Sequence, residues 1–523
     1  MRKLFSIFLF LTSLFSKAQV TFQKTYGGGN FGSQCSSLQQ TNDSGFVLVG
    51  RTGSFGAGSS DVYLIKTDGA GNILWTKTFG GTGPDGGNSV RQTSDGGFIL
   101  SGWTESFSAA MNIYLIKTDA NGNMLWSKTF GGSGVNEGYS AQETNDGGFI
   151  LAGYIHYFGA GNADAYLVKT NSIGDTLWTK TFGGTSDDWG YSTQQTSDGG
   201  FVIAGETNSF GAGNSDTYLI KTDGNGNMLW SKTFGGTGAD YCNSVQQTID
   251  GGFILSGTTA SYGAVSYDLH LIKTNPSGNI IWSKTFGGSN ADWGWSSQQT
   301  TDGGYVIAGE TNTFGAGYED IYLIKTDLNG DTLWTKAIGS NNPDMGYFSR
   351  QTKDGGLIIV GQTINTTSGN SFIYLVKTDS DGNNGCYETN TKTIATTPLT
   401  IATNPATKVS FGGVVGNPST QTGSGGIATI LCMTSANELK NELLQITIFP
   451  NPFSTETTLS INGQLKMNNG EFIMYDVFGR EVKKMSIVNY PFTIQRNGLP
   501  SGMYFYKVSG DEKVLGTGKV VIE

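Results

Sequence analysis

The sequence predicts an all-β protein: a seven-bladed β-propeller followed by a linker and a small C-terminal β-sandwich. Three observations predict this architecture. A unit of about 52 residues occurs seven times, each unit contains four strand-like stretches, and glycine is abundant. Glycine accounts for 79 of the 523 residues while charged residues make up 14%. Turns must therefore be frequent, and no helical periodicity competes with the β pattern.

The first 18 residues have the pattern of an export signal. Arg2 and Lys3 precede an apolar stretch from Leu4 to Phe15. Small residues then occupy the two positions that a signal peptidase reads, in Ser16-Lys17-Ala18. The apolar stretch is shorter than the ~20 residues needed to cross a bilayer. We interpret residues 1–18 as a Sec signal peptide and expect a soluble mature protein with no transmembrane segment.

The repeat extends over residues 19–383. Its clearest mark is a tryptophan that recurs about every 52 residues in phrases such as LWTK and LWSK. The six copies contain Trp75, Trp126, Trp178, Trp230, Trp282 and Trp334. A degenerate copy at the start of the mature chain, from Phe22 to Gly28, makes seven. Repetition favours a packing role for this tryptophan between neighbouring blades.

Within one unit, from Tyr191 to Phe234, four stretches predict strands: YSTQQT, FVIAGET, DTYLIKTD and NMLWSKTF. The turns at 197–200 and 223–226 supply Asp, Asn and Gly, which tolerate positive φ in tight hairpins. The segment from Asp379 to Asn383 resembles a calcium loop, but the bidentate Glu is missing, so a turn is the preferred interpretation.

The register of the repeat predicts ring closure. The mature chain begins with a fourth-strand phrase, TFQKTY, whereas the last unit ends after its third strand, at Asp379. The N-terminal strand would then complete the last blade and leave no exposed blade interface. An open array of seven β-units is the alternative.

The four cysteines divide into two pairs. Cys35 and Cys242 occupy the same repeat position in different units, and we interpret them as small buried fillers. Cys386 and Cys432 bracket one segment and could form a disulfide, which would contribute about 4 kcal/mol.

After the repeat, residues 384–437 are rich in Thr, Ser, Gly and Pro and predict a linker. Residues 438–523 return to alternating apolar stretches that fit a small β-sandwich. Four phrases follow one another there: FPNPF at 449–453, YDVFGREV at 475–482, LPSGMY at 499–504 and GKVVI at 518–522.

These phrases resemble, in the same order, the type A sorting domain of the Bacteroidetes type IX secretion system. The resemblance implies that the protein passes through the outer-membrane translocon and is released or held at the cell surface. It also implies sorting roles for the residues that match the family's motifs: Gly479, Arg480, Gly502, Tyr504 and Lys519. A purely structural role for each of these residues is the alternative.

No catalytic constellation is recognisable in the repeat. Its only histidines, His156 and His270, are far from a G-x-S-x-G phrase and have no Cys or Glu at metal-ligand spacing. For these reasons no cofactor or metal is expected. No nucleic-acid partner is expected either, since no run of Lys or Arg is present. We expect a monomer that is not an enzyme.

A binding face is predicted where the longer loops meet the inner strands. Aspartates recur there beside aromatic residues, and the position after the AG of the second strand varies between units, a pattern that suits sugar binding. The candidates are Asp188, Trp189, Tyr241, Asp292, Trp293, Trp103, Tyr154 and Arg51. The alternative is that the aspartates cap loop N–H groups and the aromatics fill gaps between blades.

Arg51, Arg91 and Arg350 belong to neighbouring units of the predicted ring and could form a carboxylate-binding cluster. The sequence thus predicts a secreted or cell-surface binding or adhesion protein with a carbohydrate or protein ligand. A propeller glycoside hydrolase or lyase and a purely structural surface protein are the alternatives.

Overall fold

The computed structural model describes most of the chain after residue 18, and the predicted signal peptide lies outside the described residues. The described ranges are 19–28, 32–263, 266–391, 393–398, 400–403, 408–410, 414–416, 421–423, 427–433, 446–449, 451–461, 470–476, 480–487, 492–510 and 513–523. Every regular element in these ranges is a β-strand, which confirms the all-β prediction. The chain divides into two compact units, Met1–Ser435 and Ala436–Glu523.

The repeat forms the first 28 strands. In chain order they are β1 (Phe22–Gly27), β2 (Ser33–Gln40), β3 (Phe46–Thr52), β4 (Asp61–Thr67), β5 (Ile73–Gly80), β6 (Asp85–Gln92), β7 (Phe98–Thr104), β8 (Asn112–Thr118), β9 (Met124–Gly131), β10 (Glu137–Glu143), β11 (Phe149–His156), β12 (Ala163–Thr170), β13 (Thr176–Gly183) and β14 (Asp188–Gln195). The second half comprises β15 (Phe201–Thr207), β16 (Asp216–Thr222), β17 (Met228–Gly235), β18 (Asp240–Gln247), β19 (Phe253–Thr259), β20 (Asp268–Thr274), β21 (Ile280–Gly287), β22 (Asp292–Gln299), β23 (Tyr305–Thr311), β24 (Asp320–Thr326), β25 (Thr332–Ile338), β26 (Asp344–Gln351), β27 (Leu357–Ile364) and β28 (Ser371–Thr378).

These strands form seven antiparallel sheets with one topology. Sheets 1 to 6 each contain four consecutive strands, namely β2–β5, β6–β9, β10–β13, β14–β17, β18–β21 and β22–β25. Sheet 7 contains β26, β27 and β28, and its fourth strand is β1 from the start of the chain, paired with Phe22 opposite Lys377. The N-terminal strand therefore completes the last unit, as the register predicts.

Each sheet packs against the next through an apolar cluster, because the second and third strands bury both of their faces. On β3, for example, Phe46 and Leu48 pack toward sheet 7, whereas Val47 and Val49 pack toward sheet 2. Six clusters join sheets 1 to 7 in succession. A further cluster joins Ile358 and Leu375 of sheet 7 with residues of sheet 1. The packing of the seven sheets is thus cyclic.

The repeating tryptophan packs between sheets, as expected. Trp178 of sheet 3 meets Phe201 of sheet 4 edge to face, with ring centroids 5.9 Å apart. It also lies over the turn of sheet 4, where a Cβ on Gly226 would come within 2.7 Å of the indole. The same contact to the following sheet recurs for Trp75, Trp126, Trp230, Trp282 and Trp334.

The hairpin turns are held by aspartate carboxylates. In the first turn of each sheet an aspartate pairs with a buried lysine of the third strand, and the seven pairs are Asp43–Lys66, Asp95–Lys117, Asp146–Lys169, Asp198–Lys221, Asp250–Lys273, Asp302–Lys325 and Asp354–Lys377. The calcium-like segment is a turn too, since Asp379 accepts the N–H of Asp381 at 2.9 Å and that of Asn383 at 2.8 Å.

The segment predicted as a linker, residues 384–437, requires a correction. It forms seven short strands: β29 (Glu388–Asn390), β30 (Ile394–Thr396), β31 (Ile401–Thr403), β32 (Lys408–Ser410), β33 (Val414–Gly416), β34 (Gln421–Gly423) and β35 (Ile427–Met433). We call residues 388–433 the outer segment. Each of its strands pairs with the free edge of one fourth strand, so every sheet gains a fifth strand. The composition of this segment, rich in Thr and Ser, predicted a linker because each of its strands has few apolar residues.

The outer segment visits the sheets in reverse order. It begins on sheet 6 with β29, continues through sheets 5, 4, 3, 2 and 1, and ends on sheet 7, where β35 pairs with β1. Cys386 is disulfide-bonded, whereas Cys35 and Cys242 are free and buried. Cys432 lies opposite Gln23, whose side chain donates to the carbonyl of Cys386 at 2.6 Å. Its side chain is outside the described part, so the Cys386–Cys432 pairing stays a prediction that this register supports.

The second unit contains two small antiparallel sheets. Its strands are β36 (Ile446–Phe449), β37 (Glu456–Ile461), β38 (Gly470–Tyr475), β39 (Glu481–Ile487), β40 (Phe492–Gln495), β41 (Gly502–Gly510) and β42 (Lys513–Ile522). One sheet has the order β36-β37-β40 and the other β39-β38-β41-β42. Leu459 and Ile494 of the first sheet share a core with Phe472, Val508 and Val520 of the second, an arrangement that matches the predicted sandwich.

Candidate functional site

A cavity of about 1080 Å³ lies where the first strands of the seven sheets face one another. All seven first strands, β2, β6, β10, β14, β18, β22 and β26, contribute to its wall. Its size falls at the upper end of the range for small-molecule sites. We call it the central cavity.

A β-bulge in every first strand directs one side chain into the central cavity. On β14 the pairing with β15 shifts after Gly190, so that Tyr191 has no partner across the strand. The same shift occurs on the other six first strands. The bulged residues are Ser36, Asn88, Tyr139, Tyr191, Asn243, Trp295 and Tyr347, and all of them line the cavity. Bulges commonly re-aim a side chain beside a functional site.

Two residues before each bulge, a variable residue faces a variable residue of the second strand. These cross-strand pairs are Gln34–Arg51, Gly86–Trp103, Glu137–Tyr154, Trp189–Glu206, Tyr241–Thr258, Trp293–Glu310 and Met345–Gln362. The flanking pairs are nearly constant, for example Gly190 with Gly205. We call the seven variable pairs the mouth of the cavity. Variation is therefore concentrated at the mouth and at the bulges.

Aromatic side chains line the cavity over sheets 3 to 7. Tyr139 and Tyr191 meet edge to face with centroids 4.9 Å apart, and Trp295 meets Tyr347 in the same way at 5.8 Å. Between these pairs, Tyr267 stacks on Tyr241 at 6.2 Å and on Trp293 at 6.4 Å. Sheets 1 and 2 contribute Ser36 and Asn88 at the bulge instead. One side of the wall is thus aromatic and the other polar.

Carboxylates lie among these aromatic residues. Glu137 accepts a hydrogen bond from the hydroxyl of Tyr139 at 2.8 Å and one from the amide of Asn88 at 2.9 Å. Glu206, 8% exposed, accepts from Tyr191 at 2.7 Å and from Ser215 at 3.3 Å. Burial raises the pKa of Glu206 above its ordinary value, although these two hydrogen bonds oppose the rise.

Glu310 is the least satisfied of the carboxylates. It is 9% exposed, and its Oε2 has no hydrogen-bond partner among the described residues. Burial, and then the charge of Glu319, raise the pKa of Glu310 to about 7, while the nearby indole of Trp295 acts in the opposite direction. A carboxyl group with this pKa can hold or release a proton near neutral pH.

Two of the predicted ligand-binding residues line the central cavity, namely Tyr241 and Trp293. Both are half-buried and stack on Tyr267. Burial and a hydrogen bond with Tyr267 raise the pKa of Tyr241 to about 12, so this phenol is neutral and able to donate at physiological pH.

Asp188 and Asp292 must be removed from the ligand-binding candidates. Both are 0% exposed. Asp188 accepts the N–H of Gly184 at 2.8 Å, and Asp292 that of Gly288 at 2.8 Å. Ser209 and Thr313 of the adjacent loops donate to the same oxygen as the glycine. Thr207 and Thr311, at the ends of β15 and β23, donate to the other oxygen. These carboxylates cap Gly-rich loops, which was the alternative interpretation of the repeated aspartate.

The other four candidates lie at the mouth but outside the cavity wall. Trp189 meets Tyr154 edge to face at 6.4 Å. Trp103 covers Gly86, where a Cβ would come within 2.7 Å of the indole. Arg51 is exposed and donates to Gln34 at 2.9 Å. They define the rim around the entrance.

Sequence reasoning missed part of the site. Glu137, Glu206, Glu310 and the bulged residues were not among the candidates, although their variation between units was a signal. His270 does not reach the cavity: it is buried, and its Nε2 lies 2.8 Å from Ser283 Oγ. His156 is the last residue of β11, and its Nδ1 lies near the carbonyl of Val135.

The predicted sorting residues lie in the second unit. Gly479 is outside the described residues. Arg480 is exposed and pairs with Asp476 at 2.7 Å. Tyr504 is buried and donates to the carbonyl of Pro500 at 2.8 Å. Lys519 is exposed. Gly502 opens β41 with φ of +152°, rather than occupying a turn.

Among the described residues, no group of three or more His, Cys, Asp or Glu side chains is placed to hold a metal ion. The same part of the chain contains no helix long and apolar enough to cross a membrane.

Comparison with known proteins identifies the C-terminal unit. Residues 447–523 match the family model of the secretion system C-terminal sorting domain. This match confirms the sorting-domain resemblance and indicates export by the type IX secretion machinery to the cell surface or the extracellular space.

No curated protein matches the chain. Among solved structures, the extracellular domain of a hybrid two-component system from B. thetaiotaomicron aligns with 96% of this chain and 99% of that chain, at 8% identity and a TM-score of 0.18. The extracellular domain of a one-component system from the same organism aligns over the same shares at 10% identity and a TM-score of 0.16. At these TM-scores neither structure informs the fold or the function.

Proposed function

We propose that residues 19–433 form a seven-bladed β-propeller that acts at the cell surface or outside the cell as a carbohydrate-binding protein. Three features support the propeller: the seven sheets share one topology, their packing is cyclic, and β1 completes sheet 7. The sorting domain supplies the location.

The observation that carries the binding proposal is the wall of the central cavity. Aromatic faces lie there beside carboxylates: the hydroxyl of Tyr191 donates to Glu206, and the indole of Trp295 lies near Glu310. Sugars present apolar C–H faces and rings of hydroxyl groups, so a wall of aromatic planes with placed acceptors suits them. Variation at the mouth and bulges further supports a ligand, because positions with only a packing role remain constant in this array.

The test is glycan-array binding by the chain from residue 19 to 523. Trp293→Ala should weaken binding of any glycan that scores by about tenfold, which corresponds to 1.4 kcal/mol of lost stacking. Trp189→Ala is the matched control, since Trp189 occupies the same strand position in sheet 4 but lies outside the cavity wall.

If both variants weakened binding equally, the ligand would bind at the mouth in general and not at the cavity wall. The absence of any glycan hit would rule out the carbohydrate proposal, provided that far-UV circular dichroism shows the tested protein to be a folded β protein. A protein ligand or a purely structural role would then be the better interpretation.

A glycoside hydrolase or lyase is a second candidate, and one observation favours it. Glu206 and Glu310 are two buried carboxylates in the wall of a single cavity, and both have raised pKa values. One could act as acid and the other as base. They belong to sheets 4 and 6, however, with sheet 5 between them, and we therefore propose binding without catalysis.

The two candidates are separated by incubating array hits with the protein and measuring new reducing ends. Binding without turnover supports the proposal. Turnover that is abolished in both Glu206→Gln and Glu310→Gln would establish the enzyme instead.

A further inference from the structure

A second repeat position lines the central cavity at the end away from the mouth. It holds glutamine in five sheets and arginine in two, in the order Gln39, Arg91, Gln142, Gln194, Gln246, Gln298 and Arg350. About five residues along the strand separate this position from the mouth, or roughly 16 Å at ~3.3 Å per residue. We call this the inner end of the cavity.

The glutamines at the inner end connect neighbouring sheets. Gln246 Oε1, for example, accepts the backbone N–H of Gln299 in the next sheet at 2.8 Å. Gln39, Gln194 and Gln298 make the same bond. Arginine has only donors and cannot accept such a bond. The two arginines therefore give up an inter-sheet hydrogen bond that four of the five glutamines make, which calls for a compensating role.

Phe348 brings the two arginines together. The residue at its position is serine in the other six sheets: Ser37, Ser89, Ser140, Ser192, Ser244 and Ser296. The guanidinium carbon of Arg350 lies 4.1 Å from the centroid of the Phe348 ring, and that of Arg91 lies 5.3 Å from the same centroid. Two cations thus share one aromatic ring, although they belong to sheets 7 and 2.

The guanidinium groups have donors to spare. Arg91 donates to the carbonyl of Val90 at 3.0 Å, and Arg350 to that of Ser349 at 2.9 Å. Neither arginine forms an ion pair among the described residues. A guanidinium has five N–H donors, so several remain on each side chain.

The pKa values agree with an unbalanced pair of cations. Burial lowers the pKa of Arg91 to about 10. Burial, followed by repulsion from Arg91, lowers the pKa of Arg350. An anion between the two groups would relieve this repulsion and satisfy their free donors.

We propose that Arg91, Phe348 and Arg350 form a binding site for the anionic group of an acidic glycan, a sugar that carries a carboxylate or a sulfate. The proposal rests on the carbohydrate-binding function proposed above and assigns its substrate class. The planar fork of arginine pairs with either anion in two parallel hydrogen bonds. Since the aromatic mouth and the inner end are about 16 Å apart, an oligosaccharide rather than a single sugar is needed to reach both.

The test is isothermal titration of the chain from residue 19 to 523 with three oligosaccharides of equal length: an oligogalacturonate, a sulfated galactan oligomer and a neutral galactan oligomer. The variant is Arg91→Gln with Arg350→Gln, which installs the residue found in the other five sheets and so preserves the fold. Lys408→Gln is the control, because it removes one exposed cation of the outer segment that does not line the cavity.

We expect the wild type to bind at least one acidic oligomer, and the double variant to bind it about 30-fold more weakly, as the loss of charge-assisted hydrogen bonds implies. Binding of the neutral oligomer should change less than about twofold. The better of the two acidic oligomers identifies the anion.

Equal affinity of the wild type and the double variant for the acidic oligomers would overturn the anion site, and so would an equal loss in Lys408→Gln or no acidic binding at all. Trp293→Ala, titrated in parallel, reports on the aromatic mouth. Its effect on the neutral oligomer therefore tests the general carbohydrate proposal separately from the arginine site.

Discussion

At the scale of single residues, the bulged position of each first strand determines which side chain points into the cavity. Its variation between units is readable in the sequence, and two of the predicted binding candidates, Tyr241 and Trp293, lie two residues before the bulge and line the cavity. The direction of each side chain was not predictable, because the bulge depends on pairing across two strands, such as Gly190 with Gly205. The aspartates near the bulge were also misassigned, because their loops fold back over them.

Glu310 gives a prediction of pH dependence. Its pKa of about 7 in the folded protein is above that of an unfolded glutamate. The unfolded chain therefore loses this proton first, and the free energy of unfolding falls as pH rises from about 4 to 7. Glu310→Gln should stabilise the protein at pH 8, by about 3 kcal/mol, and have little effect at pH 4.

Thermal unfolding of wild type and variant at pH 4 and pH 8 measures this effect. Glu105→Gln is the control, since Glu105 is exposed. A Glu310→Gln effect that is the same at both pH values would show that the carboxyl group ionises normally.

His270 gives a prediction of opposite sign. It occupies a position that is tyrosine in the other six sheets, such as Tyr218, and burial lowers its pKa to about 3. The unfolded chain binds a proton at this histidine below about pH 6.5, whereas the folded protein does not until about pH 3. The free energy of unfolding should therefore fall by about 1.4 kcal/mol for each pH unit as the pH is lowered across that window.

His270→Tyr should remove this acid sensitivity, as measured by urea unfolding between pH 3.5 and 7. Tyr218→His is the reciprocal variant and should introduce the same sensitivity in sheet 4. A parallel pH dependence in wild type and His270→Tyr would contradict the assignment.

At the scale of elements, the strands of the repeat were predictable because strong turn signals separate them in every unit and because the second and third strands are apolar runs. The outer segment was not, since β29 to β34 have three residues each and depend on partners far along the chain. One signal was present in the sequence. The phrase Ile-Ala-Thr recurs at 394–396, 401–403 and 427–429, each time at the beginning of an outer strand.

The contact between tryptophan and the following turn yields a prediction at this scale. Gly226 has φ of +74° and a Cβ would meet Trp178, whereas Gly199 has φ of +82° and open space around it. Gly199→Ala should cost about 1 kcal/mol from backbone strain alone. Gly226→Ala should cost roughly 1 to 3 kcal/mol more, because the indole must move.

Chemical denaturation of the two variants isolates the packing contribution, as their backbone strain is nearly matched. Equal losses of stability would mean that Trp178 accommodates the methyl group freely.

At the scale of the whole molecule, the cysteines provide a direct test of how the body is held together. Cys35 and Cys242 are fully buried, and burial raises the pKa of each thiol to about 12. We expect no reaction with a thiol reagent in the native state and two reactive thiols after unfolding without reductant. Four thiols in the unfolded protein would contradict the disulfide.

Removing the disulfide should cost about 4 kcal/mol of stability. Cys386→Ser together with Cys432→Ser should lower the melting temperature to the value that the wild type shows in dithiothreitol. Dithiothreitol should not change the melting temperature of the double variant, whereas a further decrease would indicate another reducible bond.

The position of β1 between β28 and β35 has a consequence for the order of events during synthesis and export. The first strand of the repeat has both partners at the opposite end of the body, so its pairing with β28 must wait until residue 378 has been made and its pairing with β35 until residue 433. Contacts of such long sequence separation form slowly. The body therefore remains incomplete until the outer segment has been made, and a product truncated anywhere before the outer segment ends would keep unpaired sheet edges that favour aggregation or degradation.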